Sequence, residues 1–251
     1  GLDKPVLVQY VNYMWNVVRG DFGVSWFTQQ PVMAEIRSRM PYTLTLGVLS
    51  TLIATIISIP LGTLTAVKHN SLIDYVVTFL CLLFSAMPGF WLGILLQIYL
   101  SLQTGWFPAY GVKTIRHFVL PVVAACAASV GTNIRSTRTW VLDVIRSDFV
   151  RTARAKGASE VVVILKHALR NALLPIITGL GAAFAGVLGG SVVIETVFAI
   201  PGISSYLTSA VKTRDMPIIM GCILVISVFV GIVNLLVDLM YSVIDPRVKF
   251  E

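Results

Sequence analysis

Apolar residues gather into long uncharged runs at 40–67, 75–112, 117–134, 171–194 and 216–237, separated by shorter polar stretches that hold most of the Lys and Arg. A helix needs about 20 apolar residues to cross the hydrocarbon core of a bilayer. The second run is too long for one span and too short for two. Its tail, QTGWFPAYG, is rich in turn formers and interfacial aromatics, so the span should stop near Leu102. Five spans follow, at about 42–66, 75–102, 118–138, 172–195 and 216–241, and with them an all-α, polytopic membrane fold.

Finer patterning adds detail. After Pro5, the residues Val6, Leu7, Tyr10, Val11, Met14, Val17 and Val18 follow helical spacing. This predicts an amphipathic helix lying on the membrane surface or on the other spans. Met87-Pro88-Gly89 should kink the second span, because proline removes an amide donor. In the fourth span Ala182, Gly186 and Gly190 recur at four-residue spacing, with Gly179 and Ala183 as a second pair. Small residues let helix backbones approach closely, so this stripe serves either packing within the chain or a pathway and subunit interface.

The stretch SDFVRTARAKGASEVVVILKHALRNALLP, 147–175, breaks the apolar pattern. Ser147 is placed to cap a short helix that Gly157 ends. A second helix should begin at Ser159-Glu160 and run to about Asn171, with Leu174-Pro175 leading back into the membrane. Both short helices carry more apolar surface than a solvated loop needs. Binding to anionic lipid, an ordinary basic loop and a docking site all remain open on spacing alone.

Composition agrees with a membrane protein. Hydrophobic residues make up 56% of the chain and charged residues 12%, half the roughly 25% usual in soluble domains. The net charge is +7, but eight of the nineteen Lys and Arg lie in 135–170, which argues against nucleic acid. The loops 103–117 and 196–215 carry two each, so 135–170, the 68–70 turn and the tail DPRVKFE are expected to be cytoplasmic. Residues 1–41 then lie outside, and an earlier span is expected to have carried them across. The organisation expected is an extracytoplasmic segment, 1–41, followed by a transmembrane domain, 42–251.

Candidate chemistry is sparse. Cys81, Cys126 and Cys222 sit in separate apolar runs and read as buried hydrophobes. His69, His117 and His167 are isolated, and no GxxxxGK[ST], GxSxG or HExxH motif occurs. No catalytic residue, metal site or cofactor is expected, and energy for uphill transport must come from an ion gradient or another subunit. An ion-coupled carrier would want carboxylates near the midplane, whereas Glu195 and Asp238 fall toward span ends.

The segment ARAKG, a gap of sixteen residues and then LP resembles the signature loop of permease subunits in binding-protein-dependent ATP-binding-cassette (ABC) importers. Ala153-Arg154-Ala155 stands for the family's EAA-like triplet, Gly157 for its glycine and Leu174-Pro175 for its hydrophobic-proline end. The acidic first residue of the triplet is absent, as is usual in the oligopeptide/dipeptide/nickel branch. GLDKPVLVQY, RGDFG, RMPYTLTLG, IPLG, MPGFWLG, GWFPAYG, SVVIETVFAIPGI and DPRV extend the resemblance over nearly the whole chain.

The resemblance implies six spans in the type I-like permease fold, the first lying before the GLDKP-like segment. It implies a bacterial or archaeal inner-membrane subunit for di- or oligopeptides, with nickel or glutathione as alternatives. It also implies a second permease subunit in a heterodimer, two ATPases that hold ATP and Mg, and an external binding protein facing loop 196–215. The coupling region would be about 146–171. Ala153, Arg154, Ala155, Lys156, Gly157, Ala158, Ser159, Glu160 and Leu165 would meet the ATPase. Met87, Pro88, Gly186 and Gly190 are the candidates for the solute pathway.

Overall fold

The computed structural model describes residues 3–244; among these the regular structure is helical, with one isolated bridge between Val24 and Pro31. Helix α1 spans Val6–Val18, α2 Val32–Val67, α3 Leu72–Ala86 and α4 Gly89–Leu96, the last prolonged by a wider π-helical stretch, Gln97–Gln103. Helix α5 spans Arg116–Ile145 and α6 Asp148–Ala155. Helix α7, Glu160–Val162, continues through a second π-helical stretch, Val163–Leu169, into α8, Arg170–Gly190. Helices α9 (Val192–Val197), α10 (Ile203–Thr213) and α11 (Met216–Ile244) complete the fold. The DPRVKFE tail, for which a cytoplasmic location is expected, lies outside the described residues.

Among the described residues, three helices are long and apolar enough to cross a membrane, and up to five spans result if each of two bent helix pairs counts as one. All five expected segments are thus helical. The kink expected at Met87-Pro88-Gly89 is a near-right-angled break: α3 and the α4 segment meet at 93°. Met87 is extended (ψ 126°), as the residue before a proline prefers.

Other prolines do not end helices. Pro41 and Pro60 lie within α2, Pro121 within α5 and Pro175 within α8. The expected boundary at Leu174-Pro175 is therefore absent, and one helical path runs from Glu160 to Gly190. Neighbouring helices hold it in line: Ala172 and Ile176, one turn apart around Pro175, are buried against Val141 and Ala66. Likewise α2 begins at Val32, across the expected boundary at residue 41. Its first turns bury Val32 and Ile36 on one side and are stitched on the other by the Arg39–Glu35 ion pair at 2.6 Å.

Helix α5 is the centre of the bundle, packing on α2, α3, α4 and α8. Gly62 of α2 meets Ile134 and Thr137 of α5 so closely that a side chain there would overlap them. Of the small residues in α8, Gly179 abuts Trp140 and Gly181 abuts Val237, whereas Gly186 faces open space. The stripe therefore divides between close packing and a free surface.

The two ends of the bundle differ. At one end lie the 68–71 turn and the corner at Gly157. At the other lie α1, the 103–115 connection and α10. Helix α1 has no fully buried residue; Tyr13, Met14 and Val17 rest against the body while Leu7, Val11 and Val18 are exposed. The 196–215 stretch, expected as a loop, is half core: Phe198, Ile200 and Ile203 are buried, and α10 presents only its far side.

Candidate functional site: the Gly157 corner and a cavity between helices

Helix α6 is amphipathic over its eight residues. Val150 is fully buried beneath it, while Phe149 stays 48% exposed. Ser147 occupies the N-cap position as expected, with an extended ψ of 153°. Its hydroxyl, however, donates to the Val144 carbonyl at 2.6 Å and does not cap the new helix. The carbonyl at the end of α5 is closer, and a hydroxyl satisfies it readily.

Gly157 ends α6 as expected. Its φ of +81° is left-handed, a region costly for residues with a Cβ. The Gly157 amide donates to the Arg154 carbonyl at 2.9 Å, and the Ala158 amide to the Ala153 carbonyl at 3.2 Å. These two bonds form a Schellman motif, which satisfies carbonyls that the helix end would leave bare. Ser159 then opens the next helix in extended conformation.

Across the corner, Arg154 grips Glu160: Nε to Oε1 at 2.8 Å and Nη2 to Oε2 at 3.2 Å. Both residues precede the uncharged run that starts at 171, and so lie outside the fourth span expected at about 172–195. The guanidinium holds the Glu160 carboxyl below its ordinary value, chiefly through this hydrogen-bonded pair, and the Arg154 pKa is raised in return. The pair is two-pronged and fixes the angle between the helices, although its exposure limits its strength.

All nine residues expected at this site come together here. Arg154, Ala155, Lys156, Gly157, Ser159 and Glu160 are exposed, Ala153 and Ala158 half-buried, and Leu165 is 57% exposed. Val161 at 66% and Val162 at 41% extend the apolar surface. Underneath, Val163 and Ala168 are fully buried. The corner is thus a rigid knuckle with a basic rim and an apolar face left uncovered by the rest of the chain.

A second feature of this end was not legible from sequence. Asp74, 2% exposed, receives Arg138 at both oxygens, each at 2.7 Å, and the Asn70 amide at 3.0 Å. His69 Nδ1 lies 2.8 Å from Arg138 Nη2. The cluster ties the 68–71 turn to α5, the helix that leads into α6. Only an acid in the first turn of a helix and an arginine near a span end could have hinted at it.

The pathway candidates divide. A cavity of about 400 Å³ opens between α4, α5 and α8, walled by Gly89, Phe90, Ala124, Gly186, Ser191 and Ile194 among others. It brings the kink region and Gly186 together, as the sequence suggested. Met87 and Pro88 are adjacent in sequence but do not line it, and Gly190 ends α8 beside Ser191.

Behind Ser191 of the cavity wall lies a buried acid. Glu195 is fully buried and receives Thr43 Oγ1 at 2.8 Å, Ser191 Oγ at 2.9 Å and the Ser205 amide at 2.8 Å. It lies within α9, past the end of α8, and its buried carboxylate joins α2, α10 and the α8–α9 break. Thr43, Ser191 and Ser205 were missed; the hydroxyls clustered near SVVIETVFAIPGI were the available signal.

Relatives agree with this architecture. The oligopeptide transport system permease protein AppB of Bacillus subtilis is 41% identical over 261 residues, spanning all of this chain and 83% of that protein. The dipeptide transport system permease protein DppB of Escherichia coli strain K12 is 35% identical over 282 residues, with the same coverage. The glutathione transport system permease protein GsiC of Salmonella typhimurium is 39% identical over 251 residues, covering 82% of that protein. A solved structure of the MetNI methionine ABC transporter, in inward-facing conformations, shares the fold with a TM-score of 0.72 at 16% identity, over 86% of this chain and 99% of that one.

The family model for the binding-protein-dependent transport system inner membrane component matches residues 58–250, and members of that family are transport subunits and not enzymes. The family model, which spans most of the chain, and relatives 35–41% identical over its whole length place this chain in that family, as a permease subunit of an ABC importer.

Proposed function

We propose that this chain forms half of a peptide pathway through the membrane, paired with a second permease subunit. Two cytoplasmic ATPases, which bind the ATP and Mg, drive it, and an external binding protein delivers di- or oligopeptides. The names of the relatives support the cargo: oligopeptide, dipeptide and glutathione transport systems.

The observation that carries the reading is the Gly157 corner. Phe149 on α6 and Val161 and Leu165 at the start of the helical path beyond the corner are exposed, while Val150 and Val163 pin the opposite faces. A rigid apolar knuckle with Arg154, Lys156 and Lys166 around it suits a cleft on a partner, because docking then costs little ordering entropy. The end of the molecule that bears this corner is the cytoplasmic one, consistent with its excess of Lys and Arg. Motion of the knuckle reaches the bundle through α5, which the Asp74–Arg138 cluster ties to the neighbouring turn.

The cavity walled by Gly89, Phe90 and Gly186 is the part of the solute path contributed by this subunit. Its wall is uncharged, so peptides of differing charge can pass without a deep binding site. ATP-driven uptake of a labelled peptide into proteoliposomes holding the complete complex tests the reading. Val161→Asp with Leu165→Asp should abolish uptake and peptide-stimulated ATP hydrolysis. Undiminished uptake with both aspartates, in a complex that still assembles, would reject ATPase docking at this corner.

A further inference from the structure

We infer that Glu195 is a positioning residue that joins the binding-protein-facing end of the subunit to the wall of the solute cavity. The inference rests on the transport reading above and extends it to a named coupling group. Three observations converge on it.

First, the Glu195 donors come from separate elements. Thr43 lies in α2, Ser205 in α10 and Ser191 in the break between α8 and α9. Thr43 Oγ1 also accepts the Ile203 amide at 2.9 Å, so one hydroxyl ties α2 to both the carboxylate and the start of α10. Ser191 Oγ lies 3.1 Å from Ser204 Oγ, closing the ring.

Second, the ring is built tightly around the carboxylate. A Cβ on Gly202 would overlap the Glu195 carboxyl group, so the glycine of the AIPGI stretch is required by that approach. Nearby, Gln97 donates to the Val197 carbonyl at 3.0 Å and to Ala109 at 2.9 Å, which anchors the same stretch to α4's extension. A buried carboxylate costs heavily unless satisfied. Here every donor named is an uncharged hydroxyl or amide, a set that holds a carboxylate in place by geometry.

Third, one member of the ring faces the cavity. Ser191 lines it beside Gly186, Val193 and Ile194. Displacement of α10 therefore pulls on Glu195 and, through it, on Ser191 at a helix break, where the cavity wall can yield most easily. Helix α10 ends in the exposed Val211, Lys212 and left-handed Arg214, the part accessible to an external protein. The ring is a discrete element that both sites bias, which is what physical coupling between them requires.

The test uses the complete complex in proteoliposomes, with ATP hydrolysis measured with and without peptide-loaded binding protein. Glu195→Ala should keep basal hydrolysis while the ratio of stimulated to basal rate falls at least about fivefold, the low end of ordinary coupling energies. Glu195→Gln, which retains shape and acceptor oxygen, should recover part of that ratio. The concentration of binding protein at half-stimulation should stay unchanged. A normal ratio in assembled Glu195→Ala overturns the inference. If that variant fails to assemble, Ser191→Ala and Thr43→Val decide: a lowered ratio in both supports it, and normal ratios in both overturn it. Absence of any stimulation in the unmutated complex would instead reject the transport reading itself.

Discussion

Replacing Gly157 by valine isolates the role of corner geometry. Its φ is +81°, and an added Cβ would find nothing within 4 Å. Any penalty is therefore in the backbone and not in packing. A left-handed residue with a Cβ costs about 1–2 kcal/mol, which corresponds to roughly a tenfold shift away from the corner conformation. Valine is worse than most because its branched side chain disfavours φ > 0, whereas asparagine tolerates it. Two bonds depend on this turn, Gly157 to Arg154 and Ala158 to Ala153. Peptide-stimulated ATP hydrolysis by the reconstituted complex reads the outcome, with assembly checked by size-exclusion chromatography. Gly157→Val should lose about an order of magnitude, while Gly157→Asn stays near the unmutated rate. Equal activities for the two variants would refute a conformational role for the glycine.

Three further outcomes follow from other contacts. Asp74→Ala leaves Arg138 without its buried partner and should destabilise the permease by about 3–5 kcal/mol, read as a lowered unfolding midpoint in detergent. Gly202→Ala drives a methyl into the Glu195 carboxyl and should cost about 1–3 kcal/mol, seen in the same melt. The Arg154–Glu160 pair lies in solvent, so Glu160→Gln should change coupling by less than about twofold at neutral pH. Because the Glu160 pKa is lowered, the pair's contribution is present above the ordinary carboxylate range and lost as pH falls through the lowered value. A pH titration of stimulated hydrolysis in the unmutated complex should therefore show no step near neutrality from this pair.

Local features were legible because local chemistry sets them. Uncharged runs of span length became helices, Pro88 broke one, and Gly157 stopped another through a φ that glycine adopts freely. The candidate docking residues formed one surface because they lie within twenty residues of each other on either side of one glycine corner. What sequence did not reveal depends on distant partners. Thr43 and Glu195 are 152 positions apart, and Asp74 and Arg138 are 64 apart. No periodicity joins such pairs. Pro175 does not mark a boundary for a related reason: its helix runs on through the proline while Val141 and Ala66 of other elements pack against it. The 196–215 stretch looked like a loop because it falls between two uncharged runs of span length, yet Phe198 and Ile200 fill the core between α5 and α2.

The central claim is that the Gly157 corner is where the ATPase subunit seats. Photo-crosslinking measures it most directly. A photoreactive phenylalanine analogue placed at Val161 of the assembled, ATP-hydrolysing complex should form an adduct with the ATPase subunit. The same group at Ile56, 62% exposed in the middle of α2, should form none. An ATP-hydrolysing complex that gives no ATPase adduct from Val161, or from Leu165, would contradict the account.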